Sequence, residues 1–198
     1  VKRREQGKNP ANSAWFWGAG TRPALVSFEE KNGVKGAMIS AVDLLKGIAV
    51  GAGMDNITVA GANGGLDTNY AGKGEAAVKA LTQDGYDFVY VHIEAPDEMG
   101  HQGSAENKIL AIERIDEEII CPVTQAFDKA GTAYRMLILP DHPTPVRVRT
   151  HTGDPVPYLL YDSTGSVDGP GMYSEKTAAR TGVYVDKGYT LLSRLLMK

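Results

Sequence analysis

The sequence predicts an α/β fold with a largely parallel sheet flanked by helices on both faces. Two patterns carry that prediction. Short runs rich in Val, Ile, Tyr and Phe alternate with longer segments whose apolar residues recur at helical spacing. Two of the most apolar runs, YDFVYVHIEA (86–95) and AYRMLILP (133–140), stop at Pro96 and Pro140, as strands do when proline ends the ladder and the chain leaves the sheet. With 198 residues and 42% hydrophobic content, the chain can bury the core of one domain, or of most of a larger one.

Residues 1–22 are basic, then rich in Gly and Trp, with no clear period, and read as a connector. Trp15 and Trp17 alternate there, so they share one face of an extended segment, packing against a neighbouring domain. PALVSFEE (23–30) reads as a strand, KNG as a turn and GAMIS (36–40) as a second strand. AVDLLKGIAVGAGM (41–54) has Val42, Leu45, Ile48 and Ala49 at helical spacing and glycines at its end. NITVAGA (56–62) reads as a further strand, and GGLDTNY as a loop whose Asp67 or Thr68 caps the helix GKGEAAVKALTQDG (72–85). After the strand that ends at Pro96, Ser104 caps a long helix to about Phe127 with Ile109, Ile112, Ile115, Ile119 and Ile120 as its apolar stripe. PVPYLLYD (155–162) is a strand candidate and GYTLLSRLLMK (188–198) a closing amphipathic helix.

Composition excludes several classes of function. A net charge of −3 argues against a nucleic-acid partner, which requires a basic face. No apolar run reaches the ~20 residues of a membrane span, and no signal peptide opens the chain. The single cysteine, Cys121, allows no internal disulfide, fits a reducing cytoplasm and reads as a buried apolar filler.

The chemistry gathers between residues 92 and 151, where all four histidines lie. Asp97 and His101 are four apart behind Pro96, which directs both to one side. Asp141 and His142 follow Pro140, and His151 stands in a polar loop. Two carboxylates and three imidazoles suit Mn²⁺ or Zn²⁺ and are too rich in nitrogen for Ca²⁺. Five ligands exceed the needs of one tetrahedral ion, so a pair of divalent ions is the expectation. His92, one step inside its strand, reads as a hydrogen-bonded core histidine, and Glu94 as a carboxylate that orients a ligand histidine. Lys73 at a helix start, Lys46 on an earlier helix and Arg149 are candidate phosphate contacts.

The segments VHIEAPDEMGHQG, LILPDHPTP and RTHTGDPVPYLLYD closely resemble motifs of the archaeal-type cofactor-independent phosphoglycerate mutases, members of the alkaline phosphatase superfamily. NSAWFWGAG, GAMISAVDLLKGI and GGLDTNYAGKGEAA are similar to that family too. The resemblance implies an alkaline-phosphatase-like core and two divalent ions, Mn²⁺ foremost with Zn²⁺, Mg²⁺ or Co²⁺ as alternatives. Asp97, His101 and His151 would hold one ion, while Asp141 and His142 would help to hold the other. It further implies a phosphoglycerate substrate and a phosphoserine intermediate.

Ser13, Ser27, Ser40 and Ser104 do not match the context of the family's nucleophile. The chain is therefore expected to be the carboxyl-terminal part of a longer enzyme, with 1–22 the exit from a cap domain and 23–198 the metal-binding part, inactive by itself. A missing sheet neighbour would leave an edge that favours a homo-oligomer. A homoserine kinase-like relative, a metal-dependent phosphatase and a binding domain with a vestigial site remain as alternatives. Against the kinase, the glycine-rich stretch from Gly65 to Gly74 lacks the spacing of a phosphate-cradling Walker loop.

Overall fold

The computed structural model describes residues 2–16, 19–21, 23–165 and 169–196. Trp17 lies outside them, and Trp15 and Phe16 are exposed. A parallel sheet is built from β1 (Gly36–Ile39), β2 (Asp55–Asn56) and β3 (Phe88–Val91) in the order β2-β1-β3. The central strand β1 is wholly buried, as a parallel strand between crossovers should be. A second sheet pairs β4 (Arg135–Ile138) with β5 (Leu159–Asp162) in antiparallel register, Arg135 opposite Asp162. The α/β class with a parallel sheet and flanking helices is thus present.

Some elements differ from the sequence reading. A short helix α1 (Lys2–Glu5) lies in the segment read as a connector. PALVSFEE forms no strand: its last residues open helix α2 (Phe28–Asn32), capped by the Ser27 hydroxyl, which accepts from the Glu30 amide at 3.5 Å. Ser27-x-x-Glu30 is the pattern of a capping box, and it overrides the apolar run before it. Phe28 then stacks on Phe88, ring centroids 5.1 Å apart. In the NITVAGA segment only Asn56 pairs as strand, beside Asp55, and the rest has no regular structure up to the next helix.

Helix α3 (Asp43–Gly51) matches its periodic segment. Helix α4 (Tyr70–Thr82) begins two residues before the expected start, capped by Asn69, whose Oδ1 accepts from the Gly72 amide at 2.9 Å. Thr68 instead turns its hydroxyl to the Asn63 amide and Asp67 accepts from the Asn63 side chain, so neither caps.

Asp97 and His101 lie on a helix, α5 (Ala95–Gln102), with Pro96 in its first turn and Gly103 in the left-handed conformation at its end. Pro96 ends the strand and also starts this helix. Ser104 caps α6 (Ala105–Ile115), accepting from the Asn107 amide at 3.3 Å. A π-helical turn, Asp116–Ile120, then leads into α7 (Cys121–Ala130).

Only the second half of the expected isoleucine stripe meets the core: Ile119 is buried and Ile115 packs against it. Ile109 and Ile112 are more than half exposed, and the core is formed by Tyr70, Ala95, Ala111, Ile119, Val123 and Phe127. Cys121 is exposed rather than buried, because the π turn directs the packing face through Ile119 and Val123 on either side of it. Among the described residues no helix is long and apolar enough to cross a membrane.

Candidate metal centre

The site forms where β3 and β4 give way to α5 and to the loop 139–152. The ladder of β3 continues one step further, since the His92 amide donates to the Ile39 carbonyl at 2.9 Å. The chain then turns into α5, whose helical spacing puts Asp97 and His101 on one face with His101 Nε2 3.3 Å from Asp97 Oδ2. Opposite them the loop folds back on itself. Thr152 donates its amide to the Pro143 carbonyl at 3.1 Å, and the His142 and His151 rings lie 3.7 Å apart between centroids.

His151 reaches across to α5. Its Nε2 stands 3.2 Å from His101 Nε2 and 3.3 Å from Asp97 Oδ1. Ligand atoms of Asp97, His101 and His151 lie within 4.8 Å of one another, two of the side chains half-buried and His151 exposed. The orientation of His101 follows from its other nitrogen. Nδ1 lies 3.0 Å from the Arg149 carbonyl oxygen, which can only accept, so Nδ1 carries a proton, and in the neutral imidazole Nε2 is the lone-pair nitrogen. An imidazole lone pair, a second imidazole nitrogen and a carboxylate aimed at one point are a donor set that fits a divalent cation.

Asp141 and His142 form the adjoining half, with His142 Nε2 3.3 Å from Asp141 Oδ2. They touch the first cluster through His142 Nδ1, 4.0 Å from Asp97 Oδ1. All five expected ligands are therefore in one neighbourhood.

The loop can pack on α5 because Gly100 has no side chain. A Cβ there would meet the Thr144 carbonyl, and would lie 3.1 Å from Lys108 Nζ. Lys108, from α6, donates to that same carbonyl at 2.8 Å, and burial pushes its pKa below the ordinary value. Arg149 has the one positive φ among described non-glycine residues, 58°, and its guanidinium lies over Gly103, where a Cβ would come 2.7 Å from Cζ.

The remaining candidates divide. Lys73 is 0% exposed and donates from Nζ to the His92 carbonyl at 3.1 Å. Burial lowers its pKa, while Glu94 works in the opposite direction. Lys46 pairs on the surface with Asp43, one helical turn away, at 3.2 Å. His92 is half-buried, its Nδ1 3.5 Å from the Ser40 hydroxyl, and burial pushes its pKa down. Glu94 stands before α5 and packs against Gly64. Its pKa is raised by burial, then by Glu98 and Asp97, with Lys73 opposing. The groups on the ligand histidines are the Arg149 carbonyl for His101 and the Thr144 hydroxyl, 3.3 Å from His142 Nδ1. The sequence offered Arg149 only as a phosphate contact and did not single out Thr144, although a threonine between two prolines directly after Asp141-His142 was a usable signal.

The model of the Metalloenzyme superfamily matches residues 2–198. The chain belongs to the Metalloenzyme superfamily. Among curated relatives, the 2,3-bisphosphoglycerate-independent phosphoglycerate mutase of Methanosarcina acetivorans is 46% identical over 197 residues, 99% of this chain and 49% of the relative. A solved protein of Pyrococcus horikoshii superposes with a TM-score of 0.75 at 36% identity, over 83% of this chain and 48% of that one. The cofactor-independent phosphoglycerate mutase of Thermoplasma acidophilum does so with a TM-score of 0.60 at 25% identity, over 98% of this chain and 45% of that one. The chain spans about half the length of the curated relatives it matches. Membership of this superfamily implies a divalent metal, in keeping with the donor set.

Proposed function

We propose that this chain supplies the cation-binding part of a phosphoglycerate mutase that interconverts 3- and 2-phosphoglycerate. The observation that carries the reading is the convergence of His101 Nε2, His151 Nε2 and the Asp97 carboxylate. In it, Asp97, His101 and His151 hold one ion and Asp141 and His142 help to hold a second, with Mn²⁺ the first choice. Two such ions supply positive charge that neutralises a transferring phosphoryl group and lowers the pKa of an attacking hydroxyl.

The chain's own residues prepare that site. The Arg149 carbonyl holds the His101 proton on Nδ1, and Lys108 fastens the loop to α6. Arg149, exposed at the rim, is the candidate contact for a substrate carboxylate or phosphate. Lys73 is withdrawn into the core, so its part is to support the end of β3. In this reading residues 23–198 form the metal-binding part of the phosphatase-like domain, 1–22 lead in from a cap domain, and the phosphoserine forms on a residue contributed from elsewhere in the enzyme.

The kinase alternative is less well supported, because Lys73, the lysine of the glycine-rich stretch, points inward to the His92 carbonyl. The test uses a protein of the relatives' full length that carries this chain, with 3-phosphoglycerate and Mn²⁺. Formation of 2-phosphoglycerate is expected, lost in His101→Ala. Phosphate transfer from ATP to homoserine in its place would overturn the mutase reading.

A further inference from the structure

Thr144 joins the two halves of the cluster. It is 3% exposed and stands between Pro143 and Pro145, so its backbone is confined to extended conformations. Its carbonyl is held by Lys108 at 2.8 Å and its methyl faces Gly100. The hydroxyl has two neighbours: Asp97 Oδ1, to which it hydrogen-bonds, and His142 Nδ1, at 3.3 Å.

A hydroxyl carries one proton, and a carboxylate can only accept. The Thr144 proton therefore goes to Asp97, and the hydroxyl oxygen is left as an acceptor for His142. Asp141 Oδ2, 3.3 Å from His142 Nε2, competes for the imidazole proton, but that carboxylate is 62% exposed and solvated, while the Thr144 oxygen is buried beside His142. This favours the proton on Nδ1 and leaves the Nε2 lone pair on the side of Asp141. The same oxygen thus fixes the Asp97 carboxylate on one side and the His142 tautomer on the other.

We propose that Thr144 is a positioning residue that selects the metal-binding nitrogen of His142 and couples it to Asp97. The proposal rests on the two-cation reading above. It makes the two half-sites interdependent: a change in the Asp97 carboxylate is transmitted to His142 through one hydroxyl, in addition to the longer 4.0 Å approach of His142 Nδ1 to Asp97 Oδ1.

The test compares Thr144→Val, which keeps the shape and removes the hydroxyl, with Thr144→Ser, which keeps the hydroxyl. Nitrogen NMR of the imidazoles in the metal-free chain should report the Nδ1–H tautomer of His142 in wild type and Thr144→Ser, and lose that preference in Thr144→Val. Calorimetric titration with Zn²⁺ should show affinity roughly 10–100-fold weaker in Thr144→Val, the size of effect seen when such supporting groups are removed, and rescue by Thr144→Ser. An Nε2–H tautomer of His142 in wild type, or unchanged Zn²⁺ affinity in a folded Thr144→Val, overturns the proposal. Should Thr144→Val not fold, the wild-type tautomer and the Thr144→Ser titration still decide it. If wild type binds no Zn²⁺, the two-cation reading fails, while the His142 tautomer continues to test the role of Thr144 separately.

Discussion

His101 and His151 present their Nε2 atoms to each other across 3.2 Å, and Asp97 lies within 3.3 Å of both. A single cation between them satisfies all three groups at once. Addition of Mn²⁺ at about a hundred times its dissociation constant should stabilise the chain by about 2.7 kcal/mol, read as a rise in the thermal midpoint. His101→Ala and Asp97→Asn should each remove that rise. A shift in either variant equal to wild type would place the ion elsewhere.

Arg149 contributes to His101 through its backbone and to a substrate through its side chain, and two substitutions separate these. Arg149→Gly tolerates φ of 58° and keeps the carbonyl on His101, so metal affinity should be close to wild type while affinity for phosphoglycerate falls. Arg149→Ala should be less stable than Arg149→Gly by about 1 kcal/mol, the cost of a left-handed residue with a Cβ. Urea denaturation measures the difference, and equal stability would show that the loop relaxes.

The Lys73–Glu94 pair predicts a pH-dependent cost. Burial raises the folded-state pKa of Glu94 with Lys73 opposing, so Lys73→Met should raise it further. A carboxyl whose folded pKa exceeds its unfolded value is most stabilising below the unfolded value, and that contribution is lost as pH rises through the folded one. Lys73→Met should therefore cost little at pH 4 and more at pH 8, with Glu94→Gln in the same chain restoring most of the loss. A cost that does not change with pH would mean that packing, not charge, is what Lys73 supplies.

Asp162 ends β5 and has its pKa lowered to about 2, first by the Thr164 hydroxyl and then by Arg135. The hydrogen bonds are 2.6 Å from Thr164 Oγ1 and 2.7 Å from Arg135 Nε. A depressed carboxyl adds stability above its unfolded pKa and loses it as pH falls through the folded one, so the β4–β5 end should loosen between about pH 4 and pH 2. Carbon NMR of Asp162 should give a midpoint near 2, moved upward by Thr164→Ala. An ordinary midpoint in wild type would contradict the geometry.

Much of this was legible from residue order. Apolar runs ending at Pro96 and Pro140 located β3 and β4, and the Asp and His residues behind those prolines do gather in space. What escaped depended on contacts between distant segments. The capping box of Ser27 and Glu30 was readable, but the apolar Pro23–Ser27 stretch resembled a strand more strongly. Ile109 and Ile112 are exposed because α6 meets the core through Ala111 and Ile115, a face that the isoleucine spacing did not single out. Thr144 is seen to matter only when α5, 47 residues earlier at Asp97, lies beneath it.

The π turn at Asp116–Ile120 has a consequence for which sequence changes the fold tolerates. It adds a residue to a helix whose regular advance is about 100° per residue, and Gly74 makes room for it, since a Cβ there would come 3.1 Å from the Glu118 carbonyl. Deleting one residue in this turn would give a more regular helix and a worse protein. The second half would rotate by about 100° against the first, carrying Val123 and Phe127 away from Tyr70. Length, rather than composition, is the conserved quantity that this segment should defend, and a neutral substitution there is easier to accommodate than a single-codon deletion.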